Sequence, residues 1–135
     1  MTIRAFLSRS FSQRHEMKPI VDVIIQIANG VHIEVYDFVT RNTFEGDYKA
    51  MMQKSFAELR ASDFVIAEVS HKAIGVGIEI GYAVAINKPI LYLRRESAEY
   101  STTVGGVATH ALVYADAENL ALTLPTVMQK MIACL

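Results

Sequence analysis

The chain has 135 residues, 52% of them hydrophobic and 20% charged, and 13 Lys plus Arg against 14 Asp plus Glu leave a net charge of −1. Near-neutrality removes the basic field that general DNA or RNA binding requires, and the one cysteine, Cys134, excludes a disulfide framework or a cysteine-based zinc site. A chain of this size buries about two-thirds of its unfolded surface, so residues 1–135 are expected to form one domain, in a reducing, cytoplasmic setting.

Taken in order, the sequence alternates strand and helix patterns. Residues 2–7 are a short apolar run, followed by Ser8-Arg9-Ser10-Phe11-Ser12-Gln13-Arg14, a polar loop. Residues 19–29 read as a helix, with Pro19 suited to a first turn and Asn29-Gly30 as its stop. Residues 31–38 alternate around Ile33, Val35 and Phe38, which predicts a second strand. Asp47 is placed to cap a helix that runs to the neighbourhood of Arg60. Residues 64–69 are the clearest buried strand, and residues 75–87 a helix ended by Asn87-Lys88-Pro89. Residues 89–93 and 111–114 predict two more strands, and residues 117–133 a closing helix that Pro125 is expected to kink or break. Residues 96–110, rich in Ser, Thr and Gly, read as a long loose connection.

No apolar run approaches the roughly 20 residues of a membrane span, and Met1-Thr2-Ile3-Arg4 lacks the apolar segment of a signal peptide, so no membrane partner is expected. The apolar surplus is that of a sheet buried on both faces. Alternating strands and helices then mean an α/β fold of βαβ units with parallel strands and right-handed crossovers.

Such sheets bind ligands beyond the carboxyl ends of their strands, which draws attention to residues 8–18, 70–75 and 94–110. The middle loop leads into Gly75-Val76-Gly77-Ile78-Glu79-Ile80-Gly81. Its glycine spacing is one residue off a dinucleotide fingerprint, it follows the third strand instead of the first, and Glu79 puts a carboxylate where a pyrophosphate needs positive potential. The better reading is that the glycines admit a small ligand to the helix start while Glu79 is the working group. The helix dipole would favour its charge, and a positioned carboxylate is what attack on a sugar C1′ requires. The bland alternative is a carboxylate that merely complements the dipole or faces solvent. Val76, Ile78, Ile80, Val84 and Ile86 leave such a residue little polar surface.

Phe64-Val65-Ile66-Ala67-Glu68-Val69-Ser70, the glycine segment through Tyr82-Ala83-Val84-Ala85, and Asn87-Lys88-Pro89-Ile90-Leu91 resemble the nucleoside 2-deoxyribosyltransferase family. Within it they most resemble the 2′-deoxynucleoside 5′-phosphate N-hydrolase branch. The resemblance implies a flavodoxin-like (Rossmann-like) three-layer fold with a five-stranded parallel sheet. It further implies a homodimer whose site is completed by the neighbouring subunit, and cleavage or transfer at the N-glycosidic bond of a nucleoside or nucleoside 5′-monophosphate with no metal and no cofactor. Glu79 falls on the family's nucleophile. Ser55 stands where the family has an Asp that orients the nucleophile or sugar and handles the leaving base, and Ala73 where the hydrolases hold the 5′-phosphate with a Ser. The family's Gly-Ser turn is replaced by Leu7-Ser8-Arg9-Ser10-Phe11, whose hydroxyls and Arg9, with Arg14, Gly75 and Gly77, become the candidate substrate and phosphate ligands. Ser101 resembles the residue one subunit lends to its neighbour's site.

Each residue keeps a structural reading beside the functional one. Ser55 also reads as a small exposed helix residue, Ser8 to Ser10 as an ordinary loop, and His71 and Lys72 as loop filler or as an acid and a phosphate ligand. Glu68 reads as an anchor for loop amides, Asp63 as structural, and Tyr48, Tyr82 and Tyr92 as core or interface residues. The leading function is N-glycosidic cleavage or transfer with Glu79 as nucleophile. The alternative, motivated by Ser55, is a catalytically weak or inactive nucleotide-binding or sensing homologue. A third, weaker reading is a flavodoxin-like FMN or receiver domain. The lack of an acidic pair at the end of residues 2–7 argues against a receiver, and a colourless purified protein would argue against flavin.

Overall fold

The computed structural model describes residues 2–42 and 44–135. Its five strands are β1 (Ile3–Ser8), β2 (Ile33–Asp37), β3 (Phe64–Glu68), β4 (Ile90–Arg95) and β5 (His110–Tyr114), all parallel and ordered β2-β1-β3-β4-β5. This is the flavodoxin-like order, whose reversal between β1 and β3 opens a crevice beyond their carboxyl ends. The helices are α1 (Lys18–Gly30), α2 (Phe38–Arg41), α3 (Tyr48–Ala61), α4 (Ile74–Ala85), α5 (Thr102–Val107) and α6 (Ala117–Ala133). Among the described residues, no helix is long and apolar enough to cross a membrane.

The apolar runs follow from burial on both faces. Along a strand, successive side chains point to opposite sides. Leu7, Ile66 and Leu93 therefore pack with Ile24 of α1 and Leu124 of α6. Phe6, Val65 and Tyr92 pack on the other face with Leu59 of α3 and Ile80 of α4. The same parity turns Ser8 towards the α3 and α4 side and Glu68 towards the α1 and α6 side, and parallel pairing sets Ser8 beside Ala67. At the other end of β3, the Arg4 amide donates to Asp63 Oδ2 at 2.8 Å and the Asp63 amide to the Arg4 carbonyl at 2.7 Å, a structural clasp for the β1–β3 pair.

Local signals set several boundaries as expected. Asp47 caps α3, its Oδ1 accepting from the Ala50 amide at 3.0 Å. Pro19 occupies the first turn of α1. Asn87, at φ 64°, takes the left-handed conformation that ends α4 ahead of Pro89.

Three expectations are corrected. The second strand stops at Asp37, and Phe38 begins the short α2, because the chain turns as soon as it clears the sheet. Residues 96–110 are not a loose connection throughout: α5 occupies Thr102–Val107, capped by Ser101 Oγ, which accepts from the Val104 amide at 3.3 Å. Its glycines masked the helical signal. Finally, of the kink or break expected at Pro125 the break is the part corrected: α6 continues through Pro125, with Leu120, Leu124, Met128 and Met131 buried against the sheet. The missing N–H of Pro125 still costs a hydrogen bond to the Ala121 carbonyl. Pro125→Ala is therefore expected to stabilise the protein by about 1–3 kcal/mol, the helix gain less the loss of unfolded-state restriction, read from the urea midpoint at unchanged slope.

Candidate active site

Glu79 lies five residues past the start of α4 at Ile74, one helical turn from the buried Val76 and Ala83, and so on the face turned to the sheet. It does not end in a closed apolar core. Ser8, at the tip of β1, donates its hydroxyl to Glu79 Oε1 at 2.7 Å, and Ser55 of α3 donates to Oε2 at 2.9 Å. Both serines are buried, Ser55 at 0% exposure. The exposed-helix reading of Ser55 is thereby corrected: it sits one turn before the buried Leu59, on the inward face of α3.

The helix dipole is not what governs the Glu79 carboxylate. Dipole effects fade within the first turn, and Glu79 is in the second. Burial pushes its carboxyl above the ordinary glutamate value of 4.5, while the Ser8 and Ser55 hydroxyls pull it back down. The net direction is upward, because two neutral donors do not replace the water a carboxylate loses.

Glu79 opens onto a cavity of about 860 Å³ beyond the carboxyl ends of β1 and β3. The β1–α1 loop contributes Arg9, Ser10 and Arg14, the start of α4 contributes Ala73 and Gly75, and the α2–α3 segment adds an apolar wall. Arg9 is only 6% exposed. Its Nε and Nη2 form a fork on Asp37 at 3.0 and 2.9 Å, Nη2 also reaches Thr40 Oγ1 at 3.0 Å, and Nη1 donates to the Arg14 carbonyl at 3.2 Å. The guanidinium expected to meet a phosphate is thus committed to tying the loop to the end of β2. Arg14 keeps more freedom: it stacks on the exposed Phe11 ring with the Cζ 3.9 Å from the centroid and donates to the Phe11 carbonyl at 2.9 Å.

The other expected residues are distributed as follows. Ser10 bonds Ser12 at 3.1 Å and lines the cavity, as Ala73 and Gly75 do, whereas Gly77 does not. Lys72 lies at the rim, paired with Glu99 at 2.9 Å, and His71 is not among the lining residues. Ser101 caps α5 and lies outside this cavity. Glu68 does anchor a loop amide, accepting from the Ser70 amide at 2.7 Å, and receives the Tyr114 hydroxyl at 2.5 Å. Burial drives its carboxyl above the ordinary range against those bonds. Tyr92 is a core residue, Tyr82 accepts from Arg60 at 2.7 Å, and Tyr48, 71% exposed, belongs to the cavity wall. Sequence reasoning missed Phe38, Asn42, Phe44 and Met51 at that wall. Their signal was available only as an aromatic cluster between the second strand and the Asp47 cap.

The profile of the nucleoside 2-deoxyribosyltransferase family matches residues 10–124, and the chain belongs to that family. A 5-hydroxymethyl-dUMP N-hydrolase of Mus musculus is 51% identical over 43 residues, which span 32% of this chain and 25% of the mouse protein. The chain thus aligns with about a quarter of that relative's length. Among solved structures, the CMP N-glycosidase of Clostridium botulinum superposes with a TM-score of 0.69 at 24% identity, over 92% of this chain and 98% of its own. The 2-deoxyribosyltransferase of Bacillus psychrosaccharolyticus superposes with a TM-score of 0.68 at 11% identity, over 87% and 90% of the two chains. The flavodoxin-like α/β fold implied by the sequence resemblance is the fold these structures share.

Two stability measurements follow from the geometry. A carboxyl raised by folding contributes stability that is present below about pH 4.5, the ordinary value, and lost as pH climbs through its folded value. Glu79→Gln is therefore expected to melt higher than the wild type at about pH 8, with the difference vanishing towards pH 4. An equal melting temperature at both pH values would contradict the burial argument. Arg9→Ala strands the buried Asp37 carboxylate and is expected to cost about 3–5 kcal/mol in chemical denaturation.

Proposed function

We propose that this member of the family cleaves the N-glycosidic bond of a nucleoside or nucleoside 5′-monophosphate, with Glu79 as the nucleophile at C1′. The observation that carries the reading is the Glu79 carboxylate, held on both oxygens by Ser8 and Ser55 and opening onto the cavity at the β1/β3 switch point. A carboxylate so fixed has its attack direction set before substrate arrives, which saves ordering entropy in the reaction. One Glu79 oxygen bonds to C1′ as the C1′–N bond breaks and its electron pair leaves with the base, which takes a proton from solvent. Water then attacks C1′, the C1′–O bond to Glu79 breaks, and the carboxylate returns as the water's proton is released. A second base in place of water gives transfer. Burial favours this chemistry, since a poorly solvated carboxylate is the stronger nucleophile once ionised.

The phosphate of a monophosphate would sit between Arg14, Lys72 and the open N–H groups at the start of α4, where Ala73 provides no side-chain cap. No metal or cofactor enters the scheme. We further propose a cytoplasmic homodimer, supported by the free Cys134 and by exposed apolar side chains on α4, where Ile74 is 86% and Ile78 47% exposed. The neighbouring subunit's copy of the Ser101 segment would complete the site across that face. A second reading also has an observation behind it: among the described residues, Glu79 is bonded only by serine hydroxyls. A serine is a poor proton donor to a departing base, so a nucleotide-binding or sensing protein with little turnover is the alternative.

The test is release of free base, followed by chromatography, from a panel of nucleosides and their 5′-monophosphates. Wild type is expected to turn over slowly, and Glu79→Gln and Glu79→Ala to lose at least about 10³-fold in kcat with the fold retained. In quenched reactions, mass spectrometry should find a glycosyl adduct on the α4 peptide of the wild type and none on Glu79→Gln. Because general acid help is worth about 10²–10⁴ in rate, Ser55→Asp is expected to accelerate base release. Binding without release in any form would favour the sensing reading. Arg14→Ala should lower the monophosphate-to-nucleoside activity ratio.

A further inference from the structure

The α2–α3 wall of the cavity carries an amide whose nitrogen and oxygen are told apart by its hydrogen bonds. Asn42, the residue that ends α2, donates from Nδ2 to the Tyr36 hydroxyl at 3.0 Å and to the Phe38 carbonyl at 3.1 Å. A carbonyl oxygen only accepts, so the amide atom facing Phe38 must be the NH₂ group, and both of its protons are then used. Tyr36 is itself fixed, buried in β2 with the Arg4 and Arg41 guanidinium groups 4.6 and 4.9 Å from its ring centroid. What Asn42 has left is Oδ1, which accepts no hydrogen bond among the described residues.

Asn42 lines the same cavity as Glu79, and Glu45 lines it from the turn that follows. Beside them, the Phe38 and Phe44 rings stack on each other at 5.9 Å and 15°, an aromatic part of the same wall. The polar groups are therefore divided by element. Among the lining residues, those of the α2–α3 segment with a free acceptor are Asn42, through Oδ1, and Glu45, through its carboxylate, whereas the cationic Arg14 and Lys72 come from the loops after β1 and β3. A phosphate is repelled by the first set and attracted by the second, which leaves the acceptor wall to the base.

We propose that Asn42, with Glu45, selects bases that carry an exocyclic amino group, cytosine or adenine, over their keto counterparts uracil and hypoxanthine. The assignment rests on the nucleotide reading of the cavity. An amino group offers two protons to two acceptors. Uracil offers a single ring N–H flanked by carbonyl oxygens, so engaging one acceptor sets a carbonyl against the other. Within each pair the bases are nearly isosteric, so shape cannot supply the discrimination.

The experiment compares dCMP with dUMP and dAMP with dIMP, by kcat/KM for base release in the wild type and by calorimetric Kd on Glu79→Gln. The amino member is expected to be favoured about tenfold or more in each pair, the worth of one satisfied against one unsatisfied polar group. Asn42→Leu is expected to bring both ratios to within about threefold of unity. That variant also loses the bond to the Phe38 carbonyl, so Glu45→Gln is measured beside it, and should lower the ratio even if Asn42→Leu does not fold. Equal handling of amino and keto members, a keto preference, or ratios unmoved by these variants would overturn the proposal. Base release at equal rates from both members would overturn it while leaving the N-glycosidase reading intact. Discrimination in Kd without any base release would do the reverse, and no binding of any nucleotide would remove both.

Discussion

Two hydroxyl-to-carboxylate hydrogen bonds at Glu79 tie together three elements that are distant in the chain: the tip of β1 through Ser8, the inner face of α3 through Ser55, and α4 itself. Everything at the site is referred to that junction. Ser8 reaches it because strand parity turns it to the α3 and α4 side, and Ser55 because the helical period aligns it with Leu59. The junction forms where strand order reverses, so the crevice that parallel topology leaves open is also where the carboxylate is held. Water excluded by the packing of Phe6, Val65 and Ile80 is replaced by hydroxyls, and incompletely. Burial therefore dominates the ionisation of Glu79, raising its carboxyl above the ordinary value and setting a stability cost on the charged form.

A second buried pair builds the cavity around it. Arg9 and Asp37 meet in a fork almost out of solvent, joined by Thr40, which donates to Asp37 at 2.6 Å. Such pairs gain little net stability, since desolvation offsets attraction, but they fix geometry because neither partner can be left alone. Here they fasten the β1–α1 loop to the start of α2. The other guanidinium of that loop, Arg14, is held against Phe11 and has no carboxylate partner among the described residues.

A similar economy operates on the opposite face of the sheet. Glu68 is 2% exposed, yet it accepts from the Ser70 amide, the Ser70 hydroxyl and Tyr114. The Ser70 hydroxyl in turn accepts from the Arg95 amide at 2.9 Å. This network closes the turn between β3 and α4, and so sets where α4 begins and which of its residues overlooks the cavity. Two glutamates eleven positions apart on one βα unit thus differ in setting: Glu68 shapes the turn, and Glu79 lines the cavity.

The sequence by itself determined the layers. Apolar runs such as Phe64 to Ala67 can be satisfied only between two helical faces, Asp47 and Asn87 mark helix ends through local backbone chemistry, and Glu79 stands out as a charge among aliphatic neighbours. These are properties of period, propensity and composition, which act over a few residues. What only the tertiary structure decided were the pairings. That Arg9 spends its guanidinium on Asp37, that Ser55 and Ser8 converge on one carboxylate, and that Asn42 is locked by Tyr36 all depend on contacts 6 to 71 positions apart. A hydrogen bond is directional and short, so which donor meets which acceptor follows from the placement of β1, β2, α3 and α4 in three dimensions. The continuity of α6 through Pro125 has the same origin: burial of a long apolar face outweighs a local rule that the sequence alone would enforce.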